Sequence, residues 1–330
     1  MTTDPFAPAA AAGIHRLAIP TPFAVGRVNV YLIEDEPLTL VDAGPNSGSS
    51  LEELQHQLAA HGHRIEDIEL VILTHQHIDH LGLVGIVAAR AGADVAAIDA
   101  AVTFLENYSR EAAADDEFSK EVMLRHGIPE DVVGALGAVS AAFRAWGARA
   151  GVSRVLHDGD TIEMRDRTLE VSYRPGHSPT DTIFRDPARR MLLAADHLLK
   201  HISSNPLISR LPGQTERPQS LVVYLESLRK TREMDVELVL PGHGEAFGDH
   251  RDLIDQRFAL HERRAEKLYG LVAERSRTAY ELAQALWGNV AVTQAYLTLS
   301  EVLGHMDILL NEGRVREVER DGVVRFETAA

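Results

Sequence analysis

Cysteine is absent from all 330 residues. That excludes disulfides, thiolate metal ligands and a cysteine nucleophile, and it fits a reducing compartment such as the cytoplasm. No apolar run approaches the ~18 residues of a membrane span, so no membrane association is expected. The start, Met-Thr-Thr-Asp-Pro-Phe, lacks the basic residues of a signal peptide. Basic charge is also short: Lys and Arg number 33 against 49 Asp and Glu, a net charge of −16. Such a surface repels phosphate backbones unless a basic patch is set apart. What remains is an ordinary soluble composition of 45% apolar and 25% charged residues, long enough for about two domains. The 16 histidines are the unusual feature, and several are clustered.

The chain reads as layered α/β. Residues 1–14 are expected to be a mobile tail. Strands are expected at Arg27–Glu34, Leu38–Asp42, Leu70–Thr74, Asp94–Ile98, Asp160–Met164, Thr168–Arg174, Asp181–Asp186, Arg190–Asp196 and Val236–Leu240. Helices are expected from Ser49 or Ser50 to Ala60, and over Leu81–Arg90 and Ser220–Glu233. Hairpins among these strands argue against a purely parallel sheet. Residues 100–150 are Ala-rich and charged without a clear strand, and read as a helical insertion, either a lid or a packing excursion. Within it, Phe104 and Tyr108 are expected to pack against their own helices. From 251 the pattern is a long helix, two further helices over Ala279–Trp287 and Ala291–Asn311, and a hairpin turning at Asp321-Gly322. This suggests two units, a catalytic domain over 15–250 and a C-terminal domain over 251–330.

The chemistry concentrates in Thr74-His75-Gln76-His77-Ile78-Asp79-His80, just past an apolar strand. Four metal-type ligands within six residues cannot share one strand or helix face. They can surround metal ions if the backbone turns tightly. Crowded imidazoles are unfavourable unless a metal holds them neutral. Three further candidates follow strands: His177 in Pro-Gly-His-Ser, Asp196 in Ala-Ala-Asp-His, and His243 in Pro-Gly-His-Gly. Five histidines and two aspartates form an N/O set that suits zinc and also accepts iron or manganese. His197 and His201 flank the set, the first read as a packing residue and the second as solvated.

These motifs, in order, resemble the metallo-β-lactamase superfamily over about residues 15–248. The resemblance implies a four-layer αββα sandwich with two divalent metals at one edge of the sheets. It implies that His75, His77 and His177 hold one metal, that Asp79, His80 and His243 hold the other, and that Asp196 bridges them. Asp42, in Leu40-Val41-Asp42-Ala43-Gly44, would bond to ligand groups and tune their affinity. The tail from Phe258 is similar to the winged-helix extension of the β-lactamase-like endoribonucleases and polyketide thioesterases. True β-lactamases generally lack the bridging aspartate and many carry a cysteine ligand, so antibiotic hydrolysis is not expected.

Two such ions would share a water of lowered pKa, and the resulting hydroxide would attack a carbonyl, with Asp79 steering it and shuttling its proton. A small-molecule thioester, ester or lactone is the expected substrate. The alternatives are a single-strand endoribonuclease and a glutathione-thioester hydrolase. Residues 251–330 hold 11 basic and 13 acidic residues, which disfavours RNA. The only basic concentration there, Arg263, Arg264, Lys267, Arg275 and Arg277, is interrupted by carboxylates and reads as a solvated helix face. The apolar helix Thr298–Asn311 suits a core or a subunit interface, which makes self-association through the C-terminal domain an expectation.

Overall fold

The computed structural model describes residues 4–290 and 294–329. In chain order its elements are α1 (Ala7–Ala11), β1 (Ile14–Ile19), β2 (Val28–Ile33), β3 (Thr39–Val41), α2 (Gly48–Ala60), β4 (Leu70–Ile72), α3 (Ile78–Leu81), α4 (Val84–Ala91) and β5 (Asp94–Ile98). The insertion follows as α5 (Asp99–Glu106), α6 (Tyr108–Arg125) and α7 (Glu130–Phe143). Then come β6 (Arg154–Leu156), β7 (Thr161–Glu163), β8 (Thr168–Tyr173), β9 (Thr182–Asp186), β10 (Met191–Ala195), α8 (Ser220–Arg232) and β11 (Leu238–Pro241). The chain ends with α9 (His250–Glu274), α10 (Ala279–Trp287), α11 (Ala295–Asn311), β12 (Val315–Arg320) and β13 (Val323–Thr328).

Two sheets face each other. One has the order β1-β2-β3-β4-β5-β6 and the other β11-β10-β9-β8-β7. In the first, β3 to β6 run parallel while β1 and β2 are antiparallel. Strand alternation explains why both faces of the second sheet are apolar. Phe184, Met191, Leu193 and Leu240 point into the core between the sheets. Their neighbours Ile183, Leu192, Ala194 and Val239 point the other way, onto Leu221, Tyr224 and Leu228 of α8. On the outer face of the first sheet, Leu54 and Leu58 of α2 and Val84 and Val87 of α4 join the same core. Helix, sheet, sheet and helix are therefore the four layers.

Several expectations are corrected. The N-terminal segment is not a loose tail from Asp4 onward: Phe6 and Ala9 are buried, and Arg16 lies 4.8 Å over the Phe6 ring. Residues 1–3 lie outside the described residues. Helix α2 is capped two or three residues earlier than expected, by Ser47, whose hydroxyl accepts the Ser50 N–H at 3.0 Å. The expected start of a helix at Ala291 also lies outside the described residues, and α11 is described from Ala295.

The division at residue 250 does not follow the packing. Phe118, Val122, Met123, Ile128 and Val133 from the insertion share one apolar core with Leu268, Leu282, Leu299, Leu303 and Phe326. The insertion and the C-terminal helices are one packed body. Helix α11 is buried continuously from Thr298 to Asp307, so it is a core helix and offers no free face there to a second subunit. The hairpin turns where expected, with Asp321 and Gly322 both at positive φ, 53° and 77°.

Candidate metal centre

All seven expected ligands lie at one edge of the two sheets, at or just past strand ends. Strand β4 delivers the His75–His80 stretch, β8 leads to His177, β10 to Asp196 and β11 to His243. The donor atoms of His75, His77 and His177 lie within 4.8 Å of one another, and so do those of Asp79, His80 and His243. Asp196 stands between these two groups. Its Oδ1 is 3.5 Å from His80 Nε2, and its Oδ2 is 3.5 Å from His243 Nε2 and 3.6 Å from His177 Nε2.

Three of the five imidazoles are aimed by their Nδ1. His177 Nδ1 donates to the Asn205 carbonyl at 2.9 Å, and His243 Nδ1 donates to the Arg27 carbonyl at 2.9 Å. His80 Nδ1 lies 2.7 Å from Asp42 Oδ2. Asp42 is itself fixed by the Thr74 N–H at 2.9 Å and the Thr74 hydroxyl at 2.8 Å. It sits at φ 62°, a left-handed conformation that a short polar side chain tolerates, immediately past β3. Fixing Nδ1 turns the Nε2 of each of these three rings toward the centre.

Neighbouring strands hold the loops in place. Asn29 and Tyr31, two residues apart on β2, both donate to the Pro241 carbonyl, at 2.9 and 2.7 Å, and so anchor the loop that carries His243. The Thr180 hydroxyl accepts the Gln76 N–H at 3.0 Å and ties the His75–His80 stretch to the His177 loop. Gly242 is required by space: a Cβ there would lie 2.1 Å from Asp196 Oδ1. Gly176 is required by space and backbone alike, with φ 147° and a Cβ position 2.4 Å from Tyr224 Cα.

The electrostatics separate the rings. Burial, reinforced by neighbouring imidazoles, holds His75 far below the usual histidine range and pushes His77 down to about 3. Burial also lowers His177. These three are neutral, the ligating form. For His80 burial acts the same way, but the carboxylates of Asp42, Asp196 and Asp79 outweigh it and raise the ring well above its ordinary value. Burial likewise opposes ionisation of Asp196, yet His243 and His80 beside it hold the carboxyl well below the carboxylate range.

The atoms fit metal ions. His80 Nε2, His177 Nε2, His243 Nε2 and Asp196 Oδ1 are buried and have no hydrogen-bond partner. An unsatisfied buried polar atom costs about 1–3 kcal/mol, so four in one place call for a ligand that accepts lone pairs. The N/O donor set matches zinc, and iron or manganese as well.

Outside this set, His197 is buried and its Nε2 contacts Thr231 Oγ1 at 2.8 Å, while His201 is exposed. Phe104 and Tyr108 do not pack on the insertion alone: both join the main core of the sheets, with their rings edge-on at 5.8 Å and the Tyr108 hydroxyl donating to the Arg144 carbonyl at 2.8 Å. Sequence reasoning missed Thr74, Asn29, Tyr31, and the carbonyls of Arg27 and Asn205. Asn29 and Tyr31 did leave a trace, as two polar groups on alternate positions of an otherwise apolar strand.

Comparison with known proteins agrees with this geometry. Residues 24–243 match the metallo-beta-lactamase superfamily, and the chain belongs to it. It is similar to the probable metallo-hydrolase YqjP of Bacillus subtilis, 33% identical over 317 residues that cover 94% of this chain and 97% of that one. The metallo-beta-lactamase family protein TTHA1429 of Thermus thermophilus superposes with a TM-score of 0.83 at 27% identity, covering 96% of this chain and 98% of that one. A shorter stretch is similar to the acyl-coenzyme A thioesterase MBLAC2 of Bos taurus. It is 37% identical over 98 residues, 29% of this chain and 33% of the thioesterase. Among the described residues no helix is long and apolar enough to cross a membrane.

Proposed function

We propose that this chain is a hydrolase with two divalent metal ions, most simply zinc, that cleaves an acyl carbonyl substrate, with a thioester favoured over an ester or lactone. The observation that carries the reading is Asp196, whose carboxylate meets both donor groups: His177 of one at 3.6 Å, and His80 and His243 of the other at 3.5 Å each. One carboxylate facing two ligand groups is the arrangement of a paired-ion site. Divalent cations held there supply polarisation of the acyl oxygen and a lowered pKa for water.

The chain's own residues do the rest. Asp79 is buried, and although burial opposes its ionisation, His80 and His243 keep it a carboxylate. Its Oδ2 is 3.3 Å from His243 Nε2, which places it at the centre to orient water and accept a proton. Asp42 and the Asn205 and Arg27 carbonyls hold the rings so that no reorganisation is needed during reaction. The net change adds water across the acyl–sulfur bond and releases a carboxylate and a thiol.

The partial likeness to acyl-coenzyme A thioesterases supports the thioester preference. RNA is disfavoured because three of the five side chains in the C-terminal basic concentration are paired with carboxylates: Arg264 with Glu301, Arg277 with Glu274, and Arg275 with Glu281. Thiol release from a panel of acyl-coenzyme A substrates tests the reading. Metal-dependent thiol release, lost on treatment with a chelator, is expected. Cleavage of single-stranded RNA with no turnover of any thioester, ester or lactone would overturn it.

A further inference from the structure

We propose that the hydrocarbon chain of the acyl substrate lies in the cleft between the insertion and the C-terminal body; the proposal rests on the acyl-hydrolase reading. The cleft has a volume of about 740 Å³, within the roughly 300–1,000 Å³ of small-molecule sites. Met123, Val133, Leu136 and Phe143 of the insertion line it together with Leu207 and Leu297. Its charged groups pair among themselves: Arg144 with Asp116 at 3.1 Å and Lys120 with Glu117 at 3.5 Å. That leaves an apolar ligand, not an ionic one, as the matching occupant.

Two tethers join this cleft to the metal centre. Asn205 accepts the His177 Nδ1 proton on its carbonyl, and its side-chain amide donates to the Leu297 carbonyl at 3.0 Å. At the other rim the Phe143 ring lies 5.5 Å from Phe23, in the segment that runs to Arg27, whose carbonyl holds His243. Asn205 thus links a ligand ring directly to a residue that lines the cleft. Exposed large apolar side chains also gather there. Val139 is 49% exposed and Leu297 41%, both lining the cleft, and Val25, beside the Phe23 rim, is 39% exposed. Apolar groups left in water around one opening mark a site for an apolar partner.

Gly134 and Gly137 on α7 line the cleft, and a Cβ at either position meets nothing within 4 Å. Gly134→Leu and Gly137→Leu thus add apolar bulk at the cleft from a Cβ that meets nothing, and each favours the helix. Specificity constants would be measured with acetyl-, hexanoyl- and dodecanoyl-coenzyme A. For the wild type kcat/KM should rise by up to about tenfold per pair of methylene groups until the cleft is full. Each variant should lower the dodecanoyl-to-acetyl ratio at least about tenfold.

A second readout needs no turnover: fluorescence titration with the fatty acid cis-parinarate, expected to saturate on the wild type and weaken about tenfold in the variants. Thioester cleavage with a flat chain-length profile, together with parinarate binding that is absent or unchanged by the variants, overturns the proposal and leaves the hydrolase reading standing. Parinarate binding that the variants weaken, without turnover of any acyl substrate, supports the cleft and refutes the hydrolase reading instead. Association of two copies through the cleft, seen as dimers that Gly137→Leu dissolves, would also overturn it.

Discussion

Among the described residues two buried histidine clusters stand out, and they behave differently. At the sheet edge, each of three rings is fixed through Nδ1 by a carbonyl or carboxylate and presents an unpartnered Nε2 to the others. In the C-terminal body, His261, Glu301 and His305 also lie within 4.8 Å of one another. There the groups consume most of each other's capacity, and among the three side chains only His261 Nε2 is left without a partner. His305 Nδ1 donates to the Glu301 carbonyl, its Nε2 meets His261 Nδ1 at 3.2 Å, and Arg264 takes the Glu301 carboxylate. Imidazole crowding therefore does not define a metal centre. Convergent lone pairs, freed by partners behind each ring, do.

The largest effect that would test this contrast comes from the ligands. His77→Ala or Asp196→Ala should lower kcat/KM about 10³-fold or more and reduce bound metal, as followed by steady-state kinetics and elemental analysis. Full activity in either variant would remove the distinction between the clusters. Asp42→Asn should keep the fold but misdirect His80, with a loss of about 10–100-fold in metal affinity or activity.

His261→Gln should leave metal content and kcat/KM within about twofold of wild type, because nothing in that cluster serves the centre. Its effect should appear in acid. Burial, partly opposed by Glu301, lowers folded His261 to about 4, so the folded state prefers the neutral ring. The unfolded chain binds the proton first, and stability is lost as pH falls from about 6.5 toward 4. Removing this ring should make that decline shallower by about 3 kcal/mol, as read from urea unfolding at several pH values. An unchanged slope would contradict the burial argument. Thr74→Val should cost least, about 1–2 kcal/mol through the lost hydroxyl contacts to Asp42 at 2.8 Å and His75 Nδ1 at 3.0 Å, seen as a drop of about 5- to 30-fold in metal affinity by competitive chelation.

Much of the fold was legible because alternation and turn residues act locally. Val28–Ile33, Thr168–Tyr173 and the Asp321-Gly322 hairpin carry their own signals. The ligands were legible because four of them lie within six residues and the rest follow strands. Strand β6 was missed because it is a three-residue edge with Val155 exposed, too short for a period to show. Strand β1 was missed because His15 and Arg16 together interrupt its alternation. The Arg27 and Asn205 carbonyls were invisible for a different reason: every residue has a carbonyl, so only tertiary structure says which one faces a histidine. The same holds for the core shared by Phe118–Val133 and Leu268–Phe326, whose contacts join segments more than a hundred residues apart.

The account stands most directly on metal stoichiometry. Protein purified from zinc-supplemented cells, dialysed and analysed for transition metals beside Asp196→Ala and His261→Gln, should hold two equivalents per chain in the wild type and in His261→Gln. Asp196→Ala should hold one or fewer. A wild-type protein without stoichiometric metal, or one whose metal is lost in His261→Gln and kept in Asp196→Ala, would contradict it.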